Sequence, residues 1–134
     1  MTGERDLDAL LNTMKPELQP GTFVFCSIAP NAPIAAALNP RLTFREQEGT
    51  TLVVLREEAE AAGLPYAFPS RLITLTVHSA LDAVGFLAAI TARLAKAGIS
   101  VNAVSAFHHD HLFVPVDRAD EAMTILQAIS GNAS

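Results

Sequence analysis

The chain has 134 residues, of which half are hydrophobic and 17% are charged, and this composition indicates a globular protein of one or two small domains. Its net charge of −5, with no run of lysine or arginine to offset it, argues against nucleic acid as a partner. The apolar runs are too short to cross a bilayer, and no signal peptide is evident behind the charged N-terminus. Cys26 is the only cysteine, which excludes an internal disulfide and leads us to expect a cytoplasmic protein.

The first half of the chain consists of short elements separated by proline and glycine. Apolar residues between Asp6 and Leu18 recur at helical spacing, which predicts a helix ending before Pro20. Cys26 falls in the next predicted strand, where a buried core position is favoured over a reactive thiol. Glu48-Gly49 predicts a hairpin turn, because glycine tolerates positive φ. The other predicted elements are a strand at 22–28, a short helix at 34–38, hairpin strands at 42–47 and 51–56, and a helix at 57–62.

The second half repeats a similar order of elements. A strand runs into a polar loop and an Ala-rich helix, whose apolar residues lie on one face, and Gly98 closes that helix. Asp117 is a predicted N-cap for the last helix. The predicted elements are a strand at 71–77, a helix at 86–96, strands at 99–107 and 112–116, and a helix after residue 117.

The boundary between the halves is predicted in the segment from Gly63 to Pro69, which gives domains of residues 1–64 and 65–134. Each half follows the order of a split βαβ unit, βαββαβ, but stops at a helix before its last strand. The residues after Ile129 are too few and too polar to supply that strand. We therefore expect an open sheet edge in each half, which the two halves or two chains cover by pairing their edges.

Two segments of the second half carry a family resemblance. The pattern Asp82-x-x-Gly85-Phe86-Leu87, followed by Leu94-Ala95-x-x-Gly98-Ile99-Ser100-Val101, resembles an ACT domain, except that Val84 stands where proline is usual. ACT domains are ferredoxin-like regulatory modules that usually bind amino acids. Residues 44–50, 77–85 and 109–115 are similar to segments of small, free-standing bacterial tandem ACT proteins of unassigned function. The resemblance implies an α+β fold of two ferredoxin-like, βαββα-type units with antiparallel sheets paired side by side, and a homodimer.

The loop before the Ala-rich helix is the first candidate site. Backbone N–H groups at a helix start can hold a carboxylate, and Gly85 permits close approach of a ligand. Asp82 is able to accept hydrogen bonds from an ammonium group; alternatively, Asp82 is only a helix cap and Gly85 a close-packing residue. The resemblance implies that the ligand lies where this loop meets a neighbouring unit. The predicted ligand-binding residues are His78, Ser79, Ala80, Leu81, Asp82, Ala83, Val84, Gly85, Asn102, His109, Asp110 and His111.

Polar residues in the following strands are the second candidate. Asn102 lies between apolar residues at a position where ACT domains often present an Asn to the effector. As a buried amide it would need a partner, either a ligand or a backbone group. The turn around Asp110 is either an ordinary polar hairpin turn or a metal site, for which His109 and His111 are weak candidates. Because no Cys pair or helical metalloenzyme motif accompanies these histidines, we predict neither a metal nor a cofactor.

Catalytic signatures are absent from the sequence. It contains no Gly-x-Ser-x-Gly elbow, phosphate loop or dinucleotide-binding loop, so an enzyme is not expected. The favoured function is a regulatory module that binds a small molecule, expected to be an amino acid. The alternatives are a structural or protein-interaction scaffold without a ligand, and a metal-binding protein that uses the His-rich turn.

Overall fold

The computed structural model of the chain describes residues 6–77 and 79–130. These residues divide into a continuous unit, Gly21–Ser70, and a discontinuous unit that joins the residues up to Pro20 with those from Arg71 onward. None of the helices in the described ranges has the length and apolar character that a bilayer crossing requires. In chain order the elements are α1 (Leu7–Thr13), β1 (Lys15–Leu18), β2 (Phe23–Ile28), β3 (Leu42–Arg45), β4 (Thr50–Leu55), α2 (Arg56–Ala61), β5 (Ala67–Thr76), α3 (Phe86–Lys96), β6 (Asn102–Ser105), β7 (Asp110–Pro115), a 3-10 turn (Val116–Arg118) and α4 (Ala119–Ile129).

The continuous unit is an antiparallel sheet with the strand order β3-β4-β2-β5. Its core contains Cys26, whose burial confirms the predicted core position and raises the pKa of the thiol. Residues 29–41, all of which the structure describes, contain no helix, so the short helix predicted at 34–38 is wrong. The segment forms a turn instead, because a few residues following Pro33 cannot offset the cost of starting a helix. Leu38 anchors this turn in the core, and its N–H donates to the carbonyl of Ala35.

The first residues of β5 supply the last strand of the continuous unit. They pair with β2, where Ser70 lies opposite Phe23 and its hydroxyl donates to the Phe23 carbonyl at 3.1 Å. The register shifts before Phe25, and Phe68 there adopts a positive φ of 58°. The Phe68 ring meets the Phe25 ring edge to face, with centroids 5.9 Å apart. The continuous unit therefore has a strand after the β3–β4 hairpin and α2. This strand is the start of β5, which begins at Ala67, inside the predicted boundary segment from Gly63 to Pro69.

The discontinuous unit has the strand order β1-β5-β7-β6. Strand β1 pairs antiparallel with the later residues of β5, from Lys15 opposite Thr76 to Leu18 opposite Ile73. The predicted helix over 6–18 is therefore only α1, capped by Asp6, and Met14 turns the chain into extended backbone. Helices α1, α3 and α4 cover one face of this sheet around a shared core. The fully buried members include Leu10, Met14, Ile73, Leu75, Ile90, Leu94, Leu112, Val114, Ala122 and Leu126.

This division of the chain differs from the predicted domains 1–64 and 65–134 in the placement of its first segment. Residues up to Pro20 pack with the second half, because β1 occupies the sheet edge that the βαββα order leaves open. Strand β1 pairs there because unpaired N–H and C=O groups at a sheet edge need hydrogen-bond partners. The missing strand comes from the opposite end of the described chain.

Candidate functional site

The loop between β5 and α3 leads into the start of a long helix. Ala83 donates its N–H to the Ala80 carbonyl at 3.0 Å, which closes a turn that buries Ala80. Gly85 then takes the N-cap position with a φ of 91°, in the left-handed region that favours glycine. A Cβ built at Gly85 would lie 3.6 Å from Leu7, an ordinary contact, so the backbone conformation and not the available space requires glycine here. The N-cap residue of α3 is Gly85, which has no side chain to cap the helix, so the N–H groups of the first turn are candidate donors for a ligand.

A cavity of about 60 Å³ lies between this loop, the first turn of α3 and the β6–β7 hairpin, all within the discontinuous unit. Six of the predicted ligand-binding residues line it, together with residues that the sequence analysis did not select. The structure thus brings the loop and the His-rich turn to one place. The lining residues are Ser79, Ala80, Leu81, Ala83, Phe86, Leu87, Ser105, Ala106, His109 and Asp110.

Asp110 is the buried charged group of this cavity, with 8% of its surface exposed. The Ser105 hydroxyl donates to its Oδ1 at 2.5 Å across the hairpin, where the two residues are paired in register. The hairpin turn is closed by the N–H of Ala106, which donates to the His109 carbonyl at 3.0 Å. The His109 ring is half-buried, with Nδ1 3.5 Å from the Val77 carbonyl oxygen. A carboxylate held in this way accepts further hydrogen bonds, as an ammonium group would provide.

Other predicted residues lie away from the cavity lining. Asp82 and Val84 are exposed members of the same loop, and Gly85 serves the helix start. His111 is directed elsewhere: its Nδ1 lies 3.0 Å from Thr74 Oγ1, because neighbouring residues of a strand point to opposite faces and Asp110 takes the cavity side. His78 lies outside the described residues.

Asn102 is exposed, so the expectation of a buried amide is wrong. Asn102 lies on β6 and is paired with Phe113 of β7. Strand β6 is the last strand in the sheet order, with no further strand beside it in the described chain. An edge strand leaves one side open to solvent, and this position explains the exposure. Asn102 does not line the cavity.

The histidine side chains give no metal arrangement within the described ranges. Residues 6–77 and 79–130 contain no group of three or more His, Cys, Asp or Glu side chains placed to hold an ion. The rings of His109 and His111 have centroids 6.4 Å apart and meet at 75°. The hydrogen bond between His111 Nδ1 and Thr74 Oγ1 accounts for the position of the His111 ring in the sheet without a metal.

Four lining residues were missed by the sequence analysis. Phe86 and Leu87 are the first residues of α3, and their apolar character suggested only a core face. Ala106 follows the end of β6, and Ser105 pairs with Asp110 across the hairpin. The signal that could have identified Ser105 was its position opposite an acidic residue in a hairpin, where cross-strand pairs interact.

The repeated arrangement of a four-stranded antiparallel sheet with helices defines the class of tandem ferredoxin-like α+β modules. Two family models described as the ACT domain match the chain, one over residues 2–71 and the other over residues 67–128. The chain belongs to the ACT domain family, and this confirms both the resemblance and the α+β, ferredoxin-like class. ACT domains are regulatory and not catalytic, so the chain is a regulatory module.

Solved structures agree with this assignment. A protein of unknown function from Vibrio cholerae, described as a possible transport protein, is 42% identical, with a TM-score of 0.82 over 94% of this chain and 97% of that one. A protein from Agrobacterium tumefaciens is 18% identical, with a TM-score of 0.75 over 88% and 90% of the two chains. The regulatory subunit of aspartate kinase from Thermus flavus is 11% identical, with a TM-score of 0.63 over 88% and 98%. The last two show the fold alone. No curated protein matches the chain.

Proposed function

We propose that this chain is a cytoplasmic module that binds a free amino acid in the cavity between the loop 79–85 and the β6–β7 hairpin. The observation that carries the proposal is the buried carboxylate of Asp110 in a cavity that also contains the start of α3. The helix start presents N–H donors and a positive dipole end to the ligand carboxylate. Asp110 accepts hydrogen bonds from the ligand ammonium group.

Binding would act by a shift of population. The ligand contacts two segments that are far apart in sequence, the loop before α3 and the hairpin turn at Ser105–Asp110. It therefore stabilises the conformations in which these segments are close, in proportion to its differential affinity for them. A partner protein that contacts the same segments would sense the change.

We further propose that the protein acts as a homodimer. Strand β6 is the last strand in its sheet, and no other strand covers its outer side among the described residues. Its four residues contain neither charge nor proline, the usual devices that keep an edge from pairing. Strand β3, at the other end of the strand order, carries Arg45. The β6 edge is thus the better surface for pairing with a second copy, and it would place Asn102 near that copy.

Thermal unfolding of the full chain against each of the twenty amino acids tests the binding proposal. A ligand at about 100 times its dissociation constant adds about 2.7 kcal/mol of stability, which raises the Tm by several degrees in a chain of this size. Asp110→Asn keeps the shape and the hydrogen bond from Ser105 but removes the charge, and we expect it to weaken binding about ten-fold or more. Glu48→Gln, a carboxylate-to-amide change in the continuous unit, is the control and should bind normally.

The variant Asp82→Asn decides between the two carboxylates near the loop. If Asp82→Asn abolishes the thermal shift and Asp110→Asn preserves it, the ammonium group is held by the loop and our assignment of Asp110 is wrong. If none of the amino acids shifts the Tm, the binding proposal fails and the scaffold alternative is favoured.

A further inference from the structure

The cavity of the discontinuous unit is lined by an acidic side chain and, among the described residues, by no lysine or arginine. The acidic residue is Asp110. The basic residues of α3, Arg93 and Lys96, lie in its last turn, and Arg118 donates to backbone carbonyls just beyond that turn. The helix has 11 residues, so its two ends are about 16 Å apart and these cations lie far from the cavity. With histidine counted as neutral at pH 7, the lining carries a negative charge.

The carboxylate of Asp110 has a neutral partner. It is 8% exposed, and the side-chain hydrogen bond that it accepts comes from the hydroxyl of Ser105 at 2.5 Å. Within residues 6–77 and 79–130, Asp110 forms no ion pair with a lysine, arginine or histidine. A carboxylate accepts up to about four hydrogen bonds, and a buried one is costly unless donors or a cation satisfy it. The remaining acceptor capacity of Asp110 is therefore suited to an ammonium group in the cavity.

An oxygen atom of the ligand would meet backbone donors at the start of α3. Phe86 and Leu87 line the cavity with the first turn of this helix, whose N–H groups carry a partial positive charge. These groups can donate to a neutral carbonyl as well as to a carboxylate. A ligand carboxylate gains from the helix dipole but is repelled by Asp110. The two groups are close, because the cavity volume is about 60 Å³, whereas a cavity that accepts benzene measures about 150 Å³.

We infer that the ammonium group of the ligand, and not its carboxylate, determines the affinity of this cavity, which therefore takes α-amino amides as well as free amino acids. This inference rests on the proposed contact between Asp110 and the ammonium group, and it adds which ligand group is indispensable. Alaninamide has the ammonium group but no carboxylate, and it should bind within about three-fold of alanine or more tightly. Lactate has the carboxylate but a hydroxyl in place of the ammonium group, and it should bind at least about ten-fold more weakly than alanine.

Isothermal titration of the full chain with alanine, alaninamide and lactate tests the inference, together with the amide and the 2-hydroxy acid of whichever amino acid gives the largest thermal shift. At pH 7 an α-amino group with the ordinary pKa of about 7.7–8.0 is mostly protonated. Asp110→Asn should weaken the binding of alanine and alaninamide about ten-fold or more and leave that of lactate unchanged or tighter. Asp120→Asn makes the same change at an exposed position of α4, outside the cavity lining, and should preserve the order of the three probes.

The outcomes separate this inference from the proposed function. Lactate that binds within about ten-fold of alanine, or an amide that binds more than about three-fold more weakly than its amino acid, overturns the inference and leaves amino-acid binding intact. Binding of alaninamide without binding of any free amino acid supports the inference and contradicts the proposed function. If neither the amino acids nor the amides bind, both are wrong. Should Asp110→Asn fail to fold, as judged by circular dichroism, the order of the three probes on the unaltered protein still decides.

Discussion

The two units differ most in the segment that follows β5 in the discontinuous unit and β2 in the continuous unit. In the discontinuous unit, β5 leads through a compact loop into α3, whose start borders the cavity. In the continuous unit, β2 leads into residues 29–41, which the structure describes throughout and which contain no helix. Leu38 of this segment is buried in the core of the continuous unit. The same kind of sheet thus accommodates a helical connection in one unit and an irregular connection in the other. Of these two connections, the helical one has a helix start, whose N–H groups can donate to a bound carboxylate. We therefore place the proposed ligand site in the discontinuous unit.

The largest expected effect comes from removing the segment that makes this unit discontinuous. A chain beginning at Gly21 lacks β1 and the fully buried side chains of Leu10 and Met14. Each such side chain stabilises a core by about 2–5 kcal/mol, so the loss is comparable to the whole stability of a small protein, about 5–15 kcal/mol. We expect the truncated chain to lose the cooperative unfolding transition in circular dichroism. The substitution Glu17→Ala, at an exposed position of β1, is the control and should change the stability by less than about 0.5 kcal/mol.

The same truncation tests the domain division. A truncated chain with an unchanged melting temperature would show that residues 65–134 form a complete domain without β1. In that case the division predicted from the sequence would be the better description.

Two glycines provide a smaller, matched contrast between the units. Gly85→Ala should destabilise by about 1–2 kcal/mol, because alanine is strained at a φ of 91° although space for its Cβ exists. Gly49→Ala should cost about 1–3 kcal/mol for a different reason: its Cβ would lie 2.6 Å from the Ile28 carbonyl oxygen. Asparagine tolerates left-handed backbone better than other residues, so Gly85→Asn should recover part of the loss and Gly49→Asn should not. Urea unfolding measures all four variants; equal losses for both asparagine variants would contradict this distinction.

The smallest effect is a dependence on alkaline pH that arises in the continuous unit. Burial raises the pKa of the Cys26 thiol above 9.0, its ordinary value, because the charged thiolate is disfavoured in the core. The thiol of the unfolded chain ionises first as the pH rises, so the contribution of this thiol to the free energy of unfolding is fully present below about pH 9 and is lost as the pH rises through the raised pKa of the folded state. Cys26→Val should remove this component from the pH profile of urea unfolding. A profile that decreases equally in both proteins would place the alkaline sensitivity elsewhere.

Local sequence patterns predicted the order of elements in the second half of the chain. The loop, the Ala-rich helix closed by Gly98 and the following hairpin follow from residues close in sequence, and six predicted ligand residues do line one cavity. The failures involve partners distant in sequence. Leu18 fitted the helical spacing of α1, yet it lies in β1 opposite Ile73, a pairing that no local pattern shows. The exposure of Asn102 likewise follows from the sheet order and not from its apolar neighbours.

An amide NMR titration of the full chain determines whether an amino acid binds in the discontinuous unit. The ligand would be the amino acid that gives the largest thermal shift. We expect saturable changes in the amide signals of residues 79–88 and 105–110, with those of residues 29–41 unaffected. Changes centred on residues 29–41, or no saturable change in the loop and the hairpin, would contradict this expectation.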